Sequence, residues 1–281
     1  MNFLNNIGIK SKLLLLLAFP LIGMIYLSSS KTYDAYENFE NMEQIEVIVT
    51  LSSKISSLVH EIQKERKYSS TYLENHDAKV KSNIQRQIKV TDKKVEDLNK
   101  FVKSIKLEHY SNRLKDSINK VISKLSGLTK IRQTINNKEM SSTDLIQYYS
   151  NINTELLNNI VLIAKFTNDL KVSQELTAYS SFLFSKERSG IEGVLASNTL
   201  SRDSFAPGMR AKFNNLIAEQ NSYMNNFLQY ASVDMKKIYE KSFQNPSIKE
   251  INRIRTVMLE SNSIGGFNID AAHWFNTISK K

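Results

Sequence analysis

The sequence predicts an all-α protein: two stacked antiparallel four-helix bundles sharing long helices, preceded by an N-terminal transmembrane helix. Three observations carry this. The 281 residues include only 3 Pro and 8 Gly, too few turn-formers for a β-sandwich or barrel. Apolar residues recur at steps of three and four over most of the length, the signature of one buried helical face. Near the N-terminus stand 18 uncharged residues, Leu13 to Ser30, at the lower limit for a helix that crosses a bilayer. With 41% apolar and 23% charged residues the chain can form a packed core.

The apolar run begins LLLLLAFPLIGMIYL, and Lys10 and Lys12 precede it. The positive-inside rule puts residues 1–12 in the cytoplasm, 13–30 in the membrane and 31–281 outside. Pro20 is tolerated in a membrane helix. A cleaved signal peptide is the competing reading, with Ser28 and Ser30 as small residues at the cleavage site. The residues after the run continue as helix without a break, which favours an uncleaved anchor. No second apolar span follows. The densest later stretch, Asn159 to Phe166, is short and carries Lys165.

The first helix runs from the membrane to about Asn75. Its buried face is Ile48, Leu51, Ile55, Leu58, Val59, Ile62, Ser69 and Leu73, and its length is about 60 residues, or roughly 90 Å. A turn at Asn75-His76-Asp77 follows, with Asp77 as cap. The second helix spans about Ala78 to Lys106 and the third about Ser111 to Asn136. A polar loop then leads to Ser141, which with Asp144 resembles a capping box. A second long rod runs from about Thr143 to Ser197, bent around Leu170. After a break at Ser201 to Gly208, helices cover Met209 to Ala231 and Asp234 to Phe243. Asn245-Pro246 starts another, to about Asn262. Gly265-Gly266 is a loop, and a last helix holds Ala271, Ala272, Trp274, Phe275 and Ile278.

Composition excludes much chemistry. There is no Cys, so disulfides, thiolate metal sites and cysteine nucleophiles are absent. The 4 His are far apart, and His60-Glu61 lacks a second His at the spacing a zinc helix needs. No nucleotide-binding or hydrolase motif occurs; neither catalysis, a metal nor a cofactor is expected. The net charge of +10 invites a nucleic-acid reading, but 29 of the 38 basic residues are Lys, scattered singly or in pairs and without interleaved aromatics. No nucleic-acid partner is expected.

One feature stands apart. Lys64-Glu65-Arg66 recurs 122 positions later as Lys186-Glu187-Arg188. Both copies are mid-helix, and both arginines can lie on the apolar face. An inward Arg is costly unless paired. One reading is a structural network in which Glu65, Glu187 or Glu192 answers the arginines. The other is that Arg66 and Arg188 converge on a small planar oxyanion, which the guanidinium fork suits. Ser69, Ser70 and Ser189 would add hydroxyl donors, with Tyr68 and Tyr72 as walls.

These segments resemble the nitrate- and nitrite-sensing (NIT) domain. The first motif is LVHEIQKERKYSSTYL (Leu58 to Leu73), the second KERSGIEGVLAS (Lys186 to Ser197). Ala218 to Ser232 and His273-Trp274-Phe275 match later family segments, and the whole covers about Ile45 to Ser279. The resemblance implies an all-α receptor of two four-helix bundles binding nitrate or nitrite through Arg66 and Arg188, to which the nearby hydroxyls of Ser69 and Ser189 are added as ligand residues. It implies a bacterial chemoreceptor, sensor kinase or cyclase in the inner membrane, with the sensory domain periplasmic. Such receptors continue into a second span and an output module; this sequence stops before both and reads as the sensory half. A homodimer is plausible for a single-span receptor, though no heptad seam marks one. One position departs from the pattern: Lys67 stands where the family usually has Gly, which changes the size or aim of the pocket. The same scaffold reading another small anion or an amino acid, and a ligand-free adaptor, are the alternatives.

Overall fold

A computed structural model describes residues 8–75, 78–105, 110–167, 169–243, 245–260 and 265–280. The described residues form ten helices: α1 (Ile9–Asn75), α2 (Ala78–Ser104), α3 (Asn112–Ser126), α4 (Leu128–Asn136), α5 (Ser142–Phe166), α6 (Leu170–Ser201), α7 (Met209–Tyr230), α8 (Val233–Phe243), α9 (Ser247–Glu260) and α10 (Ala271–Ile278). One isolated antiparallel bridge, Ser204 to Gly265, is the sole β-type pairing among them. The all-α class expected from the sequence is what is observed.

The chain divides into two compact units, Met1–Ile48 and Val49–Lys281. The first holds the N-terminal part of α1. Its Lys12–Tyr33 stretch has a mean hydropathy of 2.0 and is long and apolar enough to cross a membrane. Leu14, Phe19, Ile22 and Met24 there are exposed, and Pro20 lies within the helix.

In the second unit the rest of α1 buries the expected face: Leu51, Ile55, Leu58, Val59, Ile62 and Ser69. Directions follow from the side-chain bonds. α2 is antiparallel to α1, with Gln87 on Glu61 and Lys54 over the Phe101 ring. α5 is also antiparallel to α1, through Arg66–Ser150 and Ser70–Ser142. α6 is parallel to α1: Tyr179 reaches Ser56, Glu187 meets Gln63, and Asn198 meets Glu74. α7 returns antiparallel along α6, joined by Asn226–Ser181 and Ser185–Gln220. Arg255 ties α9 to α6, and Trp274 ties α10 to α6 by donating Nε1–H to the Gly193 carbonyl at 3.0 Å. α1, α2, α3–α4 and α5 thus make one four-membered group, and α6, α7, α9 and α10 a second. The groups meet along α1, α5 and α6.

Two expected helices are each divided. The third breaks at Gly127, whose N–H bonds back to Lys124 in a tightened turn. A Cβ there would lie 3.1 Å from the Tyr148 hydroxyl and 3.2 Å from the Lys124 carbonyl, so the close approach of α5 uses the glycine. The second long rod is not one helix: the chain reverses between Phe166 and Leu170, and α5 and α6 lie antiparallel. Asp169 causes this, accepting the Val172 N–H at 2.9 Å as an N-cap, while Ser173 donates to the Ala164 carbonyl across the turn. The other starts are as expected. Ser141 caps α5 through the Asp144 N–H, and Asn245 accepts from Ser247. The turn at His76-Asp77 lies outside the described residues.

Candidate functional site

Because α1 and α6 run parallel and in register, the two Lys-Glu-Arg segments come side by side, offset so that Arg66 meets Glu187. Arg66 is 1% exposed and Glu187 fully buried. Arg66 Nη1 donates to Ser150 Oγ at 2.8 Å and to Glu187 Oε1; Nη2 reaches Glu187 Oε2 at 3.4 Å. The same carboxylate accepts from Gln63 Nε2 at 2.8 Å and Asn153 Nδ2 at 3.1 Å. Donors from α1 and α5 therefore surround one planar oxyanion, the Glu187 carboxylate. Two atoms in this cradle, Arg66 Nε and Asn153 Oδ1, are buried without a hydrogen-bond partner among the described residues. An unpaired buried donor is costly, so such atoms are rare.

Gly190 makes the geometry possible. A Cβ at that position would lie 2.8 Å from Arg66 Nη2, so the guanidinium passes α6 over a bare backbone. Glu65 faces the opposite way. It accepts from Arg132 Nε (2.8 Å), Arg132 Nη2 (3.0 Å) and the Tyr149 hydroxyl (2.8 Å). Burial, then the neighbouring Glu65 charge, holds the Tyr149 phenol well above its ordinary range. Arg132 is held above its ordinary value: burial opposes its charge, but the bonds it donates to Glu65 and Asp92, and their charges, outweigh that. Glu192, also buried, takes two bonds from Arg255 and one from Gln220. Of the three glutamates named in the sequence only Glu187 answers a motif arginine, Arg66; Glu65 and Glu192 pair instead with Arg132 and Arg255, and Arg188 pairs with Glu219.

Arg66 and Ser189 also line a cleft of about 440 Å³ walled by α1, α6, α7 and α10. Lys64, Lys67, Lys186 and His60 are on its lining, and among the described residues no carboxylate is. Lys67 Nζ stands 3.6 Å from the centre of the Phe275 ring and donates to Ser279 Oγ at 2.7 Å. Lys186 Nζ donates to His60 Nδ1 at 3.1 Å. Burial holds both ammonium groups below the ordinary lysine value. It also lowers His60, helped by Lys186.

The structure does not bring Arg188 to this cleft. Its guanidinium pairs with Glu219 on α7 and lies over the Tyr223 ring, one helical step away from the side of α6 that meets Arg66. Ser69 is buried beside the Tyr149 hydroxyl, and Tyr72 is buried; neither lines the cleft, nor does Tyr68. Sequence reasoning missed Gln63, Ser150, Asn153 and Gly190. A signal for two of them existed: Ser150 and Asn153 interrupt the apolar stripe Ile146, Tyr149, Leu156, Leu157, Ile160 of α5, and polar residues on a core stripe mark a partner waiting there.

Residues 57–281 match the sequence family described as nitrate and nitrite sensing. No curated protein matches the chain. Among solved structures, that of the NasR transcription antiterminator is similar, with a TM-score of 0.79 and 21% identity. The match covers 86% of this chain and 65% of the antiterminator chain, so this chain spans a little under two thirds of that length. At that identity the likeness is one of fold.

Proposed function

The chain belongs to the nitrate- and nitrite-sensing family, and from that premise we propose that it is a sensor, not a catalyst, whose anion binds at Arg66. The observation that carries the reading is the Glu187 cradle. A carboxylate and a nitrate are both planar oxyanions, and here a buried guanidinium and two side-chain amides hold such a group beside a cleft without carboxylates. Nitrate or nitrite entering by the cleft competes with Glu187 for Arg66, and Ser189 offers a hydroxyl. Arg188 and Ser69 support the helices that carry the site.

Displacing Glu187 loosens the bond between α1 and α6, so the bound and unbound proteins favour different packings of those helices. α1 continues as one helix to Ile9, which offers a route for that change toward the Lys12–Tyr33 stretch. In this proposal that stretch is an uncleaved anchor, residues 1–12 are cytoplasmic, and 31–281 form the sensory domain outside a bacterial inner membrane. The receptor acts as a homodimer, and its output is chemotaxis or a related transmembrane signal.

The test is a thermal melt of the full chain in a non-ionic maltoside, titrating sodium nitrate against sodium chloride at matched ionic strength. Ligand at a hundredfold its Kd adds about 2.7 kcal/mol, which a melt resolves. A nitrate-specific rise in the wild type that is lost in Arg66→Lys, a variant that keeps the charge but not the fork, supports the site. No rise in the wild type refutes the ligand, and a rise that survives in Arg66→Lys refutes the site.

A further inference from the structure

The geometry points to a second anion subsite in the same cleft, at Lys67 and Lys186, that takes a monocarboxylate with an apolar body. The cleft is far too large for nitrate alone. About 440 Å³ falls in the range of pockets that enclose whole organic molecules, whereas nitrate is one nitrogen and its oxygens. The remaining wall is mostly apolar: Phe182, Val194, Met224, Phe275 and Ile278. Phe182 is 38% exposed on this wall, with its ring packed against Phe227 at 5.6 Å between centroids.

Two of the cations on this wall lack a direct counter-ion, although Glu187 and Glu61 act on Lys186 from farther away. Among the described residues no carboxylate stands within ion-pair distance of Lys67 or Lys186, although Lys64 beside them is paired with Glu61 at 3.0 Å. Lys67 has three N–H donors. Ser279 takes one and the Phe275 face attracts the charge; a donor remains for an incoming anion. Lys186 gives one donor to His60 and keeps the others. Two ammonium groups with unused donors, half-desolvated beside aromatic and aliphatic walls, match a carboxylate on a hydrocarbon. The carboxylate takes a free donor of Lys67, Lys186 adds its charge to the same wall, and the hydrocarbon lies on the apolar side chains of the cleft. Arg66 is not part of this subsite, which draws on the lysine donors alone.

The experiment is calorimetric titration of the full chain in maltoside with sodium benzoate, sodium acetate and sodium nitrate, on the wild type and on Lys67→Met and Lys186→Met. Both variants keep an unbranched side chain and remove the charge, and unliganded melts confirm that each is folded. Benzoate should bind saturably and about tenfold or more tighter than acetate, since only its ring buries apolar surface. Lys67→Met should weaken benzoate about tenfold or more, the scale of a lost charge-assisted bond. It should shift nitrate by less than about threefold, the residue of a screened longer-range charge. Benzoate no tighter than acetate, or unaffected by both variants, overturns the subsite. Parallel loss of nitrate and benzoate in Lys67→Met also overturns it, because a single anion position would then serve both. Benzoate binding without nitrate binding supports the subsite while refuting nitrate at Arg66; nitrate binding without benzoate does the reverse.

Discussion

Arg66 has one buried carboxylate partner, and that partner sets how tightly an added anion is held. Glu187→Gln keeps the shape and most of the hydrogen bonds but removes the competing charge. Nitrate affinity should rise about tenfold or more. In chloride alone the variant should be less stable by about 3–5 kcal/mol, because the Arg66 charge stays buried without its counter-charge. Titration and melts check the pair of effects; equal affinity in both proteins would mean that Glu187 is not where the anion goes. Gly190→Ala attacks the same contact from the other side. Its methyl would press on Arg66 Nη2 at 2.8 Å, so we expect about 1–3 kcal/mol of lost stability and a blunted nitrate response in the melt. Much of this was legible in the sequence. The repeated Lys-Glu-Arg pointed to Arg66, and an inward Arg demanded a glutamate. What could not be read was which arginine faces the cleft. Adjacent positions on a helix differ by about 100°, and both Glu187 and Arg188 fit the apolar periodicity; only the partners on α5 and α7 decide between them.

At the scale of elements, the turn between α5 and α6 decides the architecture. Asp169→Ala removes the cap and should cost about 1 kcal/mol, a drop of about 2–4 °C in Tm for a domain of this size, read by circular dichroism. The reversal was missed because Thr167-Asn168-Asp169 holds neither Pro nor Gly; a single Asp cap competes weakly with the helical periodicity on either side. The Gly127 break was missed for the converse reason, since one glycine within a periodic stretch reads as a tolerated cost. α9 and α10 are joined on the surface by Glu250, which accepts two bonds from Arg253 at 2.8 Å and pairs with His273 at 2.9 Å. The bond from Arg253, then that from His273, pulls its carboxyl down to about 2. A lowered folded-state value means that its contribution is present above the ordinary carboxylate range and is lost as pH falls toward 2. The group is largely solvated, so the contribution is at most about 1 kcal/mol. Glu250→Gln should therefore lose slightly less stability than the wild type between pH 5 and 2 in paired melts.

For the molecule as a whole, the proposed anchor makes a direct prediction. The full chain expressed in a bacterium should sediment with membranes, resist an alkaline wash and be released by maltoside. Recovery in the soluble fraction would remove the anchor. The all-helical class was legible because apolar periodicity is a local signal. Two four-helix groups were also expected; which helix joins which group was not legible, because that depends on pairings between residues more than a hundred positions apart. Those pairings have a regularity of their own. α1 and α6 run parallel, their bonded partners are separated by 121 to 126 positions, and each helix opens a four-membered group with the same Lys-Glu-Arg sequence. One tripeptide on two parallel helices thus meets two different fates: Arg66 closes against Glu187 at the edge of the cleft, while Arg188 turns away to Glu219.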